Sequence, residues 1–154
     1  PDRGVCRDAG VGSGLENPKS QIPNSKRVEM REPTKSIRRY DLDERTFKFA
    51  KDVIEFTDSI PKTIANVEII KQVVRSSGSV GANDIEANES LGPKDISMRM
   101  KICRKEAKES IYWLKLVQIK GEEVENKRQT LITEATELTK IFSTIVEKVN
   151  KSLP

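Results

Sequence analysis

From Leu42 to the C-terminus, large apolar residues recur three and four apart, and breaks at Pro61, Gly92–Pro93 and Gly121 cut the pattern into four segments. A stripe with that spacing lies on one face of a helix and leaves water only by packing against another such stripe. Four of them joined by short loops predict an all-α fold, an antiparallel up-down four-helix bundle. The first segment spans about residues 43–59, with Phe49, Val53, Phe56 and Ile60 on one face. Asp43 and Glu44 suit its positive N-terminal end, and Pro61 stops it. The second covers residues 65–88. The third opens on Pro93, which suits a first helical position, and is expected to run to residue 120 and end at Gly121 as a left-handed cap. Its expected core face is Ile96, Met100, Cys103, Ala107, Ser110, Leu114 and Val117. The fourth covers residues 127–151, with Leu131, Ala135, Leu138, Phe142, Ile145 and Val149 inward.

Residues 1–40 have no such pattern. Gly4, Gly10, Gly12, Gly14, Pro18 and Pro23 are scattered among isolated apolar residues, too few to offset about 1–2 kcal/mol of backbone entropy per residue. The division is therefore a disordered basic tail over 1–40 and a bundle over 41–154. Met30 is the first methionine, which makes residues 1–29 candidate upstream sequence. The tail carries nine Lys/Arg and five Asp/Glu, whereas residues 41–154 carry 19 of each sign. The overall charge of +4 thus belongs to the tail.

Several function classes lose their support. The 154 residues include no histidine, the commonest general base and metal ligand. Cys6 and Cys103 stand far apart, so neither zinc-ligand spacing nor a structural disulfide is expected, and a reducing cytoplasm fits. No glycine-rich phosphate loop follows a strand-like run, no signal-peptide pattern opens the chain, and no apolar run approaches the roughly 20 residues of a membrane span. The expectation is no catalytic residue, no metal and no cofactor.

Helix two has an apolar arc about 160° wide, built from Ile70, Val74, Ser77, Gly81 and Ile85 beside Ile69, Val73, Val80 and Ala87. Gly78 and Gly81 each cost about 1 kcal/mol relative to alanine, which a close neighbouring backbone would offset, either within the bundle or in another subunit. Its polar side shows Gln72, Arg75, Ser79 and Glu86, a solvated face or a set of inter-subunit hydrogen bonds. Helix three holds eight Lys/Arg and three acids over residues 94–120. Lys94, Lys101, Lys105, Lys108 and Lys115 lie opposite its core within about 80° of arc, with Tyr112 among them and Arg104 at the edge. A basic stripe with an interleaved aromatic fits phosphate contact plus base stacking. The plainer reading is a solvated face with Lys105 paired to Glu109. Met98, Ile102, Trp113 and Leu116 flank the stripe away from the core, as a partner surface would.

The stretch QVVRSSGSVGANDIEA over residues 72–87, followed by KICRKEAKESIYWLKL over 101–116, resembles the four-helix-bundle family of 23S rRNA intervening-sequence proteins. The family's pattern falls on Gln72, Arg75, Ser79, Val80, Ala82, Asn83 and Glu86, then on Lys105, Glu106, Ala107, Tyr112, Trp113 and Leu114. The resemblance covers about residues 42–153. It implies a ring-like homopentamer without catalytic activity, and a related branch binds a reverse transcriptase and nucleic acid. Two readings follow. One is a bacterial, cytoplasmic, non-enzymatic homo-oligomeric scaffold in a ribonucleoprotein, with Lys101, Arg104, Lys105, Lys108, Tyr112 and Lys115 toward RNA and Arg75, Ser79, Glu86, Met98, Ile102, Trp113 and Leu116 toward a neighbouring subunit. The other is a purely structural or protein-interaction oligomer without nucleic-acid contact. For the tail, limited proteolysis is expected to leave a resistant fragment starting near Tyr40; a tail that resists protease contradicts the division.

Overall fold

The computed structural model describes residues 37–153, with side chains from Asp41 onward; most of the expected tail lies outside the described residues. Four helices follow in order: α1 (Ile37–Thr57), α2 (Ile64–Asn88), α3 (Pro93–Leu116) and α4 (Glu122–Lys151). Each packs on the next, and α1 closes the bundle against α4 in its least extensive contact. Among the described residues there is no strand.

Two helices start earlier than the apolar spacing indicates. No proline or glycine stands between Pro33 and Asp43, so nothing halts α1 short of Ile37. The first turn of α4 is Glu122, Glu123 and Glu125, which offers little apolar rhythm but matches the positive end of a helix. Thr63 caps α2, its hydroxyl accepting the Asn66 backbone N–H at 3.1 Å.

The end of α3 differs from expectation for a tertiary reason. The fully buried Asn66 side chain donates to the carbonyls of Pro61 and Gln118, both at 2.8 Å, and accepts the Gln118 N–H at 2.9 Å. Arg128 donates to the Val117 carbonyl at 3.2 Å. These bonds draw the chain out of the helix at Val117 (φ −58°, ψ 126°). Gly121, at φ +92°, leads into α4 rather than capping α3.

Phe49, Val53, Phe56 and Ile60 of α1 are buried as expected, and so are Met100, Cys103, Ala107, Ser110, Leu114 and Val117. Ile96 is only half-buried. In α4 the inward row is Leu131, Ala135, Leu138, Phe142 and Val146, with Ile145 and Val149 half-buried, because a straight helix drifts away from a strict heptad. In α2 the stripe of Val73, Val80 and Ala87 faces inward and takes Asn66, Ser76, Ser77 and Asp84 with it. Of the other stripe, Ser77 thus also turns inward, Ile70, Val74 and Gly81 are half-buried at the flank, and Ile85 is exposed. Gly81 meets α1 at Thr46, whose Oγ1 lies 3.7 Å from a built Cβ, whereas around Gly78 nothing stands within 4 Å. A side-chain methyl would make only ordinary contact at Gly81 and none at Gly78, so packing inside the bundle requires neither glycine.

Replacing Asn66 by alanine strands two carbonyls and an N–H where the two loops meet. A loss of about 2–4 kcal/mol is expected from urea unfolding; an unchanged midpoint shows that the clamp is dispensable.

Candidate nucleic-acid interface

Lys94, Lys101, Lys108 and Lys115 stand seven residues apart along α3, about 10 Å of rise at each step. All four are exposed, and among the described residues none holds an ion pair. Lysines of the other helices are mostly taken up along their own helix: Lys48 with Asp52 at 2.5 Å, Lys71 with Glu68 at 2.8 Å, Lys127 with Glu123 and Lys140 with Glu137 at 2.7 Å. Lys148 and Lys151 close α4, where cations suit the negative helix end. Tyr112 lies among the α3 lysines, more than half exposed, its ring edge-on to Trp113 with centroids 4.9 Å apart. Lys105 is exposed and Arg104 half-buried.

Two of the three acids of α3, Asp95 and Glu109, are drawn to arginines, and the third, Glu106, takes up only Lys105, which leaves Lys94, Lys101, Lys108 and Lys115 bare. Glu109 accepts from Arg75 of α2 at 3.0 Å and from the Trp113 indole N–H at 3.2 Å. That corrects the expected Lys105–Glu109 pair: the guanidinium across the seam holds Glu109, and Lys105 reaches Glu106 instead at 3.1 Å. Asp95 lies 3.8 Å from Arg99, which also forms an ion pair with Glu86 of α2 and donates to the Asn83 side-chain oxygen at 3.4 Å. Arg75 and Glu86 therefore both bridge to α3 within the chain while staying exposed, and Ser79 is half-buried between them. Sequence reasoning missed Arg99 as the centre of this row; its i, i+4 spacing from Asp95 was the available signal. Ile102 and Trp113 are half-buried, and Met98 and Leu116 exposed, on the flank between the lysines and α2.

Nothing else in the described residues assembles reactive chemistry. Cys103 is buried and donates its thiol to the Val80 carbonyl at 3.5 Å. Burial, and second the charge of Asp84, push the thiol up to about 12 from 9.0, so it is not a nucleophile at neutral pH. Among the described residues no group of His, Cys, Asp and Glu could hold a metal ion, and no helix is long and apolar enough to cross a membrane. Cavities along the α1–α4 seam, one of about 290 Å³, include Asp52 and Glu55, whose carboxylates are already paired with Lys48 and Lys51.

The family model for 23S rRNA-intervening sequence proteins matches residues 38–144, which contain all of α2 and α3. The chain belongs to that family. A crystal structure of a protein of unknown function from the S23 ribosomal protein family of Bacteroides thetaiotaomicron is similar, with a TM-score of 0.60 and 25% identity. The match covers 68% of this chain and 97% of that one. A search of curated proteins gave no match. Family membership thus fixes the bundle and brings the lysine stripe and the Arg75–Glu109 bridge inside the matched region.

The raised Cys103 pKa has a consequence for pH. A thiol harder to ionise in the fold than in the open chain stabilises the native state below pH 9, and that contribution fades as pH climbs from 9 toward 12. Peptide mapping after alkylation at pH 8 is expected to find Cys103 unmodified in native protein and modified in denaturant; rapid native labelling contradicts its burial.

Proposed function

We propose that this family member is a cytoplasmic, non-enzymatic, self-associating helical scaffold, a ring of five by family resemblance, that joins a ribonucleoprotein through the outer face of α3. The observation that carries the reading is the row Lys94, Lys101, Lys108 and Lys115, uncompensated while every acid of α3 is occupied. Charges placed that way attract a polyanion locally even though residues 41–154 are net neutral. Exposed Tyr112 adds a surface on which an unpaired base can stack. Lys105 and Arg104 widen the stripe. RNA, or a nucleic-acid enzyme such as a reverse transcriptase carrying it, is the partner of that face. Self-association draws its support from Met98, Ile102, Trp113 and Leu116 beside the stripe and from Arg75, Ser79 and Glu86 on the adjoining row.

The test replaces Lys101, Lys105 and Lys108 together by glutamine and titrates a structured RNA at two salt concentrations. Wild type is expected to bind and to weaken as salt rises. The triple variant loses most of the affinity, and its salt slope falls by about 2, since each phosphate contact contributes roughly 0.7–0.9. Melting temperature stays constant. No binding by wild type at low salt, or equal binding by the variant, leaves the second reading, an oligomer without nucleic-acid contact.

A further inference from the structure

Two exposed apolar patches stand on opposite flanks of α2, and they are unlike. The first lies where α1 and α2 meet at the surface. Phe47 and Ile54, seven apart on α1, are each more than half exposed. On α2, Val67, Val74, Gly78 and Ile85 fall within about 40° of one another around the helix. Thr46 beside Gly81 and Asp84, and Asn88 bonded to Asp43, set the antiparallel register that brings the two rows side by side. Gly78 leaves a notch in the middle of this patch, exposed and with nothing within 4 Å of a built Cβ. Glu44, Asp58 and Glu89 border it, each three or four residues from Phe47, Ile54 or Ile85, and none holds an ion pair among the described residues. The bordering cations Lys51 and Lys71 are already paired with Glu55 and Glu68.

The second patch is the outer flank of α3. Met98 is 50% and Leu116 43% exposed, eighteen residues apart and hence at the same angle, with half-buried Ile102 between them. Its border is Lys94, Lys101, Lys108 and Lys115, the unpaired cations.

We infer that copies of this chain join through these unlike faces, the α1–α2 patch of one chain seated on the α3 flank of the next. The inference rests on the self-association proposed above and adds which faces meet. Charge selects the pairing. Matching the α1–α2 patch with itself sets Glu44, Asp58 and Glu89 against acids, and matching the α3 flank with itself sets lysines against lysines. Crossed pairing sets acids against lysines around an apolar centre, and a large side chain such as Met98 or Leu116 fits the Gly78 notch. The helix cost of a mid-helix glycine is then offset across the interface. A head-to-tail contact leaves one free face at each end, so such an assembly closes only as a ring.

The test uses two double variants of the full chain, Ile54→Asp with Ile85→Asp on one face and Met98→Asp with Leu116→Asp on the other. All four side chains are exposed or at the helix end, so circular dichroism should match wild type; serine at the same positions is the milder pair should either variant melt early. By light scattering after size exclusion, wild type is expected above dimer mass and each variant alone at 17.4 kDa. Mixed in equal amounts, the variants still offer one intact copy of each face and form a discrete pair of about 35 kDa, two chains of 17.4 kDa. A mixture that stays monomeric, a wild type that is only a dimer, or a variant that keeps the wild-type mass overturns the crossed pairing while self-association stands. A monomeric wild type withdraws both.

Discussion

The narrow seam between α2 and α3 determines where charge appears on the surface. Small side chains line it: the hydroxyls of Ser76 and Ser110 lie 2.8 Å apart, and Cys103 reaches the Val80 carbonyl of the facing helix. Ala107 is buried in the same row. Helices that approach this closely bring their flanks within reach of each other, so Arg75 meets Glu109 and Arg99 meets Glu86 and Asn83. Those pairs occupy acids that would otherwise lie beside the lysines. Larger residues at Ser76 or Ser110 would push the helices apart, return Glu109 to its own helix and mask the stripe. The exposed pairs themselves add little stability, about 0–1 kcal/mol each. Their weight is in the arrangement of charge.

The α1–α4 seam is the opposite case. Arg45 forks onto Glu134 at 2.5 and 2.9 Å, a hydrogen bond that raises the guanidinium pKa, but both side chains are about a third exposed. Such a pair orients α1 more than it anchors it. What fixes α1 is its apolar row together with contacts to α2, where Thr46 lies over Gly81 and donates to Asp84 at 3.4 Å. α1 therefore depends on α2, which in turn is held on α3 by the serine seam and at one end by Asn66.

Spacing of apolar residues was enough to read the four helices, the Pro93 start of α3 and the core rows of α1 and α3. It misread whatever depended on polar groups inside the fold. Ser76, Ser77 and Asp84 carry no apolar signal, yet they share the inward face of α2 with Val73 and Val80, so the inward stripe could not be told from the flanking one. The end of α3 was misplaced because nothing near Val117 is a helix breaker; the cause is Asn66, about fifty residues earlier. The lysine stripe was legible, since like charges at 3.6 periodicity show directly. The diversion of Glu109 was not, because Glu109 looks like a neutraliser of the stripe until Arg75 is seen across the seam. Phe47 and Ile54 passed unnoticed, as they fall between the core positions of α1 and show their meaning only beside Val74 and Ile85.

In the proposed assembly two demands fall on one helix. The lysines of α3 and its apolar flank differ by only about 40–100° around the axis, so a neighbour seated on Met98 and Leu116, as proposed, brings its acidic border close to Lys94 and Lys101. At physiological salt a charge is felt over about 8 Å, which makes the nearer lysines serve the subunit contact while the farther edge of the stripe, toward Lys108, Lys115 and Arg104, stays open to phosphate. Each chain alone then offers few contacts and binds weakly. Closing several copies into a ring repeats the open edge at fixed spacing, and the second and later contacts become intramolecular. Assembly of the proposed kind would convert a neutral bundle with one modest basic edge into a polyvalent surface, without any residue being required for both contacts in full.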